Sequence, residues 1–429
     1  MIRTHFAKDL KPGHAKVAGW VHEKRALGGI LFVILRDSTG LMQVIAKKDK
    51  THSDVLKLLE NLSRESVIVV EGEAVTSKNA PGGVEIVPHK VEVLAVAGQL
   101  PIDLSPGTKT SLDKRLDFRS VDLRKPENAA IFHVQSKLLQ EMQSFLAKNN
   151  FMQIFTPCLM GVASESGSEV FSVVYFEKEA FLRQDPQLHR QLAVAGGLER
   201  VYDVGPAWRA EHSHTAKHMC EHRVMAVETS FIENEYDVIK LEEDLIRYSM
   251  LKLKEDCKDE LKMFGVQLEV PEKFPVLEFP AVYDILEELC EPLPRGEDLS
   301  TAAEKKLAEY VREKYKSDFF FVNKFPFKIK PFYVMRDGEW ARSVDLVFKG
   351  IEMSSGGQRE HRYDKIMEQV KMKGMRPESV AWFSDFFKYG VPPHGGFALG
   401  IERLTMQILG LENVREATLF PRDTERLTP

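Results

Sequence analysis

A chain of 429 residues exceeds one simple core, so two or three domains are expected, and its net charge of −5 argues against a protein coated in nucleic acid without excluding a local basic face. A composition of 43% hydrophobic and 29% charged residues, with no apolar run of bilayer length, excludes a membrane-spanning helical protein. Cys158, Cys220, Cys257 and Cys290 are scattered with no C-x-x-C spacing, which disfavours both a disulfide framework and a zinc knuckle.

Residues 1–98 read as short strands. The opening MIRTHFAKDLKPGH has no apolar signal segment, so a cytoplasmic location is expected. HAKVAGWVHEK, GILFVILRD, LMQVIAKK, SVIVVEGEAV and GGVEIVPHKVEVLA are rich in β-branched and aromatic residues, with Gly28-Gly29, Ser38-Thr39-Gly40 and Pro81-Gly82-Gly83 between them. A helical stretch, SDVLKLLENL, falls between the third and fourth. That order fits an all-β Greek-key barrel of the OB type, whose face and loops bind oligonucleotides. A barrel used only for assembly has the same pattern. Residues 99–128, with several prolines and many charges, read as a linker or hinge, followed by a long helix from about Ala129 to Asn149.

The remainder, 129–429, alternates strands and helices in a mixed order. This predicts an α+β domain with an antiparallel sheet flanked by helices. An inserted lobe is expected at about 271–332, its helix STAAEKKLAEYVREKY opened by a capping pattern of Thr301 and Glu304.

Four stretches in this domain carry chemistry. FLRQDPQLHRQ sets Asp185 and Arg190 five residues apart, so that one bound molecule with both charges touches each; a surface turn with solvated charges is the plain alternative. Pro186 makes the stretch a strand end, a turn and a helix start. In PAWRAEHSHTAKHMCEHRVMAVE, Arg209 stands where a strand ends, suited to clamp a phosphate or carboxylate with paired N–H donors. Lys217 and His218 lie across the loop, within reach of further phosphates. A charged surface hairpin has the same composition. In GIEMSSGGQREHRYD, Glu352 with Ser355 three residues on suits a Mg²⁺ ion carrying a nucleotide phosphate, and Arg359 enters the same pocket. In GGFALGIERLTMQI, Gly400 lets the backbone pass close to a ligand and Arg403 opens the next helix. Neither a P-loop nor a Rossmann fingerprint is present.

Together these stretches resemble the class II aminoacyl-tRNA synthetases, and among them the archaeal-type aspartyl enzymes, over essentially the whole chain. FMQIFTPCLM resembles motif 1, with Pro157 at a homodimer interface; WRAE…KHMCE resembles motif 2 and GFALGIERL motif 3. The resemblance implies an OB domain that reads the anticodon. It also implies a reaction in which aspartate and ATP give aspartyl-adenylate, with Mg²⁺, before transfer to tRNA. Arg209 and Arg403 match the two ATP-clamping arginines. The wider ATP site would comprise Arg209, Ala210, Glu211, Lys217, His218, Met219, Glu352, Gly400, Ile401, Glu402 and Arg403, with the metal on Glu352 and Ser355. Aspartate would be held by Glu165, Asp185, Gln187, Arg190, Arg209, Ser355 and Arg359. Phe32 and Gln43 match positions that stack on and hydrogen-bond anticodon bases. His22 and Pro81 match positions where those residues accompany charging of both tRNA(Asp) and tRNA(Asn); otherwise they are a barrel-surface residue and a turn former.

The chain departs from that family in its amino-acid pocket. Q-S-P-Q-L-Y-K is here Gln184-Asp185-Pro186-Gln187-Leu188-His189-Arg190, and the strand after motif 2 has Ala226 where an aspartate usually meets the substrate ammonium. One expectation is a relocation, Asp185 taking the ammonium contact that Ala226 cannot make, since a buried ammonium without a partner costs several kcal/mol. The other is a paralogue retuned for a different amino acid.

Overall fold

The computed structural model describes residues 2–162, 169–210, 212 and 215–429, so Glu165 and Glu211 lie outside the described residues. Two compact units divide the chain, Met1–Asp103 and Leu104–Pro429.

The first unit is a closed five-stranded barrel in the order β1-β2-β3-β5-β4, formed by β1 (Gly13–Leu27), β2 (Ile30–Asp37), β3 (Gly40–Lys47), β4 (Val67–Thr76) and β5 (Val84–Ala95). Helix α1 (Ser53–Asn61) connects β3 to β4. Alternate residues point inward, Val17 and Val21, then Val33 and Leu35, then Met42 and Val44, and pack with Leu59 of α1. Leu27 pairs with Ile30 around Gly28 and Gly29, whose φ values of 55° and 83° are what a two-residue turn between twisted strands requires.

In the second unit, α2 (Leu112–Asp117) and α3 (Arg119–Asp122) precede the long helix α4 (Pro126–Lys148). The stretch expected as a linker is thus half structured. Not all of its charges are solvated: Arg119, 1% exposed, donates to Asp122 and to the carbonyls of Glu416, Thr418 and Leu419, while Arg115 holds Asp122, Asn128 and Glu416. Next come β6 (Met152–Gln153) and a small three-stranded sheet of β7 (Leu159–Met160), β8 (Ser172–Tyr175) and β9 (Lys178–Leu182). Helix α5 (Gln187–Ala193), β10 (Arg200–Trp208), β11 (Glu221–Ser230), α6 (Glu235–Asp256) and α7 (Lys258–Met263) follow. A capping box of Asn234 and Asp237 starts α6.

The region expected as an inserted lobe contains β12 (Val276–Glu278), α8 (Ala281–Glu288), α9 (Thr301–Tyr315) and β13 (Phe319–Asn323). Its helices have a core of their own around Val282, Leu307 and Val311, yet its two strands extend the main sheet. The cap of α9 also differs from the expectation. Ser300 is the N-cap and accepts from the Ala303 N–H, because its extended backbone (φ −74°, ψ 161°) ends the preceding chain one residue before Thr301. The chain closes with the β14 (Arg336–Asp337) and β15 (Trp340–Ala341) hairpin, β16 (Ser343–Phe348), β17 (Ile351–Arg359), α10 (Tyr363–Met372), α11 (Pro377–Ser384), β18 (His394–Gly400) and α12 (Ile401–Leu409).

The main sheet has eight strands in the order β12-β13-β16-β17-β18-β11-β10-β6, antiparallel throughout except for the outermost pair at each edge. Alternation divides its faces. Met225, Val227, Leu346, Phe397 and Leu399 pack on one face against Leu138 and Met142 of α4, Leu245 and Met250 of α6 and Leu404 of α12. Burying each such side chain contributes roughly 1.5–3 kcal/mol, so this face anchors the unit. The opposite face is polar. No helix among the described residues is long and apolar enough to cross a membrane.

Candidate active site

A cleft of about 780 Å³ lies over the polar face of the sheet. Cross-strand register decides what meets there, because partners directly opposite share a face. One row crosses five strands: Asp203 on β10, Ala226 on β11, Ala398 on β18, Ser355 on β17 and Asp345 on β16. The next row on the same face carries Glu228, Gly396, Gly357 and Ser343. Gly396 is needed there: a Cβ would come within 1.9 Å of the Val227 carbonyl oxygen and 2.6 Å of Glu228 Oε2.

Glu352 and Ser355 are three residues apart, which in a regular strand would set them on opposite faces. A bulge resolves this. Leu346 pairs with Ser354 and Val347 with Glu352, so Met353 is the extra residue, and both Glu352 and Ser355 line the cleft. Ser355 Oγ donates to Asp345 Oδ1 at 2.6 Å, and Asp345 Oδ2 accepts from Lys330 at 2.9 Å. Burial pushes the Asp345 carboxyl up to about 6, with Lys330 opposing and the Glu352 charge assisting. Two carboxylates and a hydroxyl in this arrangement are hard oxygen donors whose mutual repulsion a cation relieves. Among the described residues no three His, Cys, Asp or Glu side chains form a closed metal cage. The donor set therefore fits Mg²⁺ arriving with a nucleotide, since that ion keeps waters and phosphate oxygens among its ligands.

Arg209 and Arg403 both line the cleft. The Arg209 N–H donates to the Cys220 carbonyl, closing the base of its loop, and Arg403 Nη1 donates to the Glu352 carbonyl at 2.9 Å. The cleft is also lined by His222, which the sequence reading missed. Burial first, then the two guanidinium charges, drives its pKa down to about 3, so it enters the cleft neutral. Lys217, His218, Met219, Gly400 and Glu402 also line the cleft. Both oxygens of Glu402 accept the Arg223 N–H, at 3.1 and 2.9 Å, so this carboxylate holds β11 to α12. Ala210 and Ile401 are not among the lining residues: the Ala210 N–H donates to Glu169, and the Ile401 side chain is in the apolar core.

At the other end, Arg359 is 4% exposed. Its Nε donates to Glu228 Oε1 at 3.0 Å, and Nη2 to Gln187 Oε1 at 3.1 Å and the Gly396 carbonyl at 3.0 Å. Glu228 Oε2 accepts from Gln187 at 2.8 Å. The guanidinium is thus fixed on two nitrogens while Arg359 lines the cleft, and Nη1 makes no hydrogen bond among the described residues.

Arg190 is placed differently from the expectation. It is fully buried, is not part of the lining, and donates to Asp185 Oδ2 at 2.8 Å, Gln187 Oε1 at 2.8 Å and Asp203 Oδ1 at 3.2 Å. Burial pulls its pKa down, but Asp185 and Asp203 more than offset this and keep it charged. Asp185 and Gln187 do line the cleft. Burial pushes the Asp185 carboxyl up, yet Arg190 beside it leaves it below the usual range. Its Oδ1 is buried and has no hydrogen-bond partner among the described residues. Ala226, 1% exposed, lies between Asp203 and Ala398. Sequence reasoning missed Asp203, Glu228, Lys330 and Asp345; the signal of the three acids was parity, ionisable residues within otherwise apolar strands, while Lys330, in a turn outside the strands, had none.

The remaining candidates lie in the barrel. Phe32 on β2 and Gln43 on β3 point outward near each other, since Phe32 pairs with Ile45 and Gln43 with Ile34. Gln43 Nε2 donates to Glu85 at 2.9 Å, which leaves its carbonyl oxygen to accept from a ligand. His22 occupies a bulge of β1 and meets Arg36, itself paired with buried Glu65. Pro81 opens the turn into β5, packed on β3.

A five-stranded barrel joined to an antiparallel sheet with two arginines and a Glu–Ser pair over its polar face defines a nucleotide-using class II synthetase architecture. The family described as tRNA synthetases class II (D, K and N) matches residues 111–424, and OB-fold nucleic acid binding domain matches 15–94; the chain belongs to the class II aminoacyl-tRNA synthetases of this D, K and N branch. It is 42% identical to the aspartate–tRNA(Asp) ligase of Pyrococcus furiosus and 42% identical to the aspartate–tRNA(Asp/Asn) ligase of Methanopyrus kandleri, in each case over 100% of both chains. Among solved structures it is similar to the asparaginyl-tRNA synthetase of Pyrococcus horikoshii complexed with asparaginyl-adenylate, with a TM-score of 0.93 and 32% identity over 100% of both chains.

Proposed function

We propose that this chain activates L-aspartate with ATP and transfers it to tRNA(Asp) and tRNA(Asn). The observation that carries the amino-acid assignment is Arg359, a guanidinium fixed by Glu228 and Gln187 at one end of a cleft whose other end holds Arg209, Arg403, Glu352 and Ser355. Glu228 already balances the Arg359 charge, and the remaining donor of the guanidinium, Nη1, is met more strongly by a side-chain carboxylate than by a neutral amide. The α-carboxylate of aspartate attacks the α-phosphorus of ATP, forming the acyl–phosphate bond as the bond to pyrophosphate breaks. No general base is needed, because the nucleophile is already ionised. Arg209 and Arg403 stabilise the charge that develops on the phosphoryl oxygens. Mg²⁺ on Glu352 and Ser355, when bound, would neutralise the leaving pyrophosphate. The terminal ribose hydroxyl of tRNA then attacks the acyl carbon and AMP leaves.

Asp185 takes the substrate ammonium in this reading. It lines the cleft, remains ionised and offers the unpartnered Oδ1, while Ala226 offers nothing. The barrel reads the anticodon with Phe32 and Gln43, and His22 with Pro81 supports the relaxed reading of the last base. The chain works in the cytoplasm as a homodimer through the surface around Pro157. Met152 at the outer edge of the sheet, Phe155 and Leu159 leave apolar area exposed there, 53%, 87% and 46% respectively.

One observation favours a second reading, a paralogue for another amino acid. Arg190 spends its charge on Asp185 and Asp203 instead of facing the cleft. ATP–pyrophosphate exchange with each standard amino acid decides between them. Exchange with aspartate alone, lost in Asp185→Ser and recovered when Ala226→Asp is added, supports the first reading. Exchange with another amino acid replaces it, and a fully active Asp185→Ser enzyme removes the ammonium role.

A further inference from the structure

The region from 271 to 332 lines the cleft at Lys330, Pro331 and Phe332, and its helical part meets the β10–β11 loop at Lys217. Lys217, on the loop between β10 and β11, donates from Nζ to Thr301 Oγ1 at 2.9 Å and lies 3.7 Å from Glu304 Oε2. Both partners belong to the first turn of α9. That helix is not free to drift: Leu307 and Val311 pack with Phe320, Val322 and Val347, and α9 presses on the β16–β17 turn at Gly350. A Cβ on Gly350, at φ 75°, would come 3.1 Å from the Lys305 Cα. The helix is therefore fixed two residues from Glu352, and Glu304 and Glu352 share the wall of a small cavity beside the main cleft.

Glu304 is an unusual helix residue. It is 8% exposed, its Oε2 makes no hydrogen bond among the described residues, and it is not used in capping α9, a task Ser300 performs. Burying a carboxylate in this way is costly, and Lys217, followed by Arg403, supplies the positive charge that opposes the cost. The neighbours of Lys217 are tied to the C-terminal segment: the Ala216 carbonyl accepts from the Val414 N–H at 2.8 Å, and the Cys220 N–H donates to the Arg422 carbonyl at 2.9 Å. Among the described residues, Lys217 holds this loop to α9.

We propose that the α9 segment is a working part of the nucleotide site, in which Thr301 and Glu304 act as positioning residues that hold Lys217 at the rim of the cleft, ready for the phosphates of ATP. This rests on the reading that the cleft binds ATP. Residues 215–220 then enter the encounter already ordered, and the entropy of ordering them does not weaken nucleotide binding. Mutual dependence is the signature: Glu304 and Thr301 matter only while Lys217 is present.

The test compares Glu304→Gln, Thr301→Val, Thr301→Ser, Lys217→Met and the Glu304→Gln/Lys217→Met double variant with the wild type. ATP–pyrophosphate exchange with aspartate gives KM and kcat, and backbone hydrogen exchange of residues 215–220 is followed without ligands. Glu304→Gln and Thr301→Val are each expected to raise KM for ATP about fivefold, with kcat and KM for aspartate within about twofold. Loop exchange quickens in both. Thr301→Ser, which keeps the hydroxyl, behaves as wild type, and the double variant is no worse than Lys217→Met alone. An unchanged or lowered KM for ATP in Glu304→Gln, or additive losses in the double variant, overturns the proposal. If Glu304→Gln fails to fold, the Thr301→Val and Thr301→Ser pair carries the same decision. A wild type that neither exchanges pyrophosphate with any amino acid nor binds Mg·ATP removes the functional reading instead; loop exchange then decides the contact, and no change on Glu304→Gln rejects it.

Discussion

Replacing Glu228 by Gln keeps the shape of the side chain and removes the charge that balances Arg359. Both groups are buried, 0% and 4% exposed, and joined by the Nε–Oε1 hydrogen bond of 3.0 Å. Breaking a buried pair in this way leaves a guanidinium with only Gln187 and a carbonyl for company, and typically costs about 3–5 kcal/mol. The unit spanning Leu104–Pro429 has a melting entropy of about 0.7 kcal/mol/K at the usual value per residue, so the midpoint should fall by roughly 4–7 °C. Differential scanning calorimetry measures this directly. The informative arm is ligand rescue. In the variant the side-chain carboxylate of aspartate becomes the counter-charge, so saturating aspartate should recover more of the midpoint than it adds to the wild type, and asparagine should not. A fall under about 1 °C would show that the pair is not a buried charge pair. Equal rescue by both amino acids would show that Arg359 does not face the substrate carboxylate.

Glu242 sets a pH dependence: burial pushes its carboxyl up to about 8 from an ordinary 4.5, against the hydrogen bond from Ser354. A group raised in this way contributes stability that is complete below about pH 4.5 and is lost as pH rises through 8, amounting to roughly 4–5 kcal/mol at the alkaline end. Glu242→Gln should therefore gain on the wild type in melting temperature between pH 5 and 8; parallel curves would refute the assignment. Ser355→Ala should raise the Mg²⁺ concentration needed for half-maximal pyrophosphate exchange about tenfold at unchanged KM for aspartate, measured by titration at fixed ATP. Gln43→Ala should leave pyrophosphate exchange intact and raise the KM for tRNA about tenfold in aminoacylation, from loss of roughly 1–2 kcal/mol of base recognition. Gly396→Ala, whose Cβ meets the Val227 carbonyl at 1.9 Å, should cost about 1–3 kcal/mol in a denaturant melt.

Much of the architecture was legible in residue order. Strand alternation and the two glycines at 28 and 29 were enough for the barrel, and the mixed strand–helix order for the antiparallel sheet. The clusters around Arg209, Glu352 and Arg403 were found because each is contiguous in the chain, next to or within an apolar strand. The stretch at 99–128 misled, because charge and proline read as a linker whether a charge meets water or, like Arg119, a ring of buried acceptors. Arg190 misled for the same reason: its sequence shows a cation, and only its neighbours show that Asp185 and Asp203 claim it.

The sequence by itself determined the periodicities, the turn residues and the identity of the charged groups, all of which depend on neighbours a few positions away. The tertiary structure decided which of those groups share a face and which are already paired. Register placed Asp203, Ala226, Ser355 and Asp345 in one row, a single extra residue at Met353 turned Glu352 into the cleft, and packing brought Glu304 to Lys217. These contacts join residues from about ten to more than a hundred positions apart. Their strength depends on burial, and burial is a property of the assembled core that no local stretch carries.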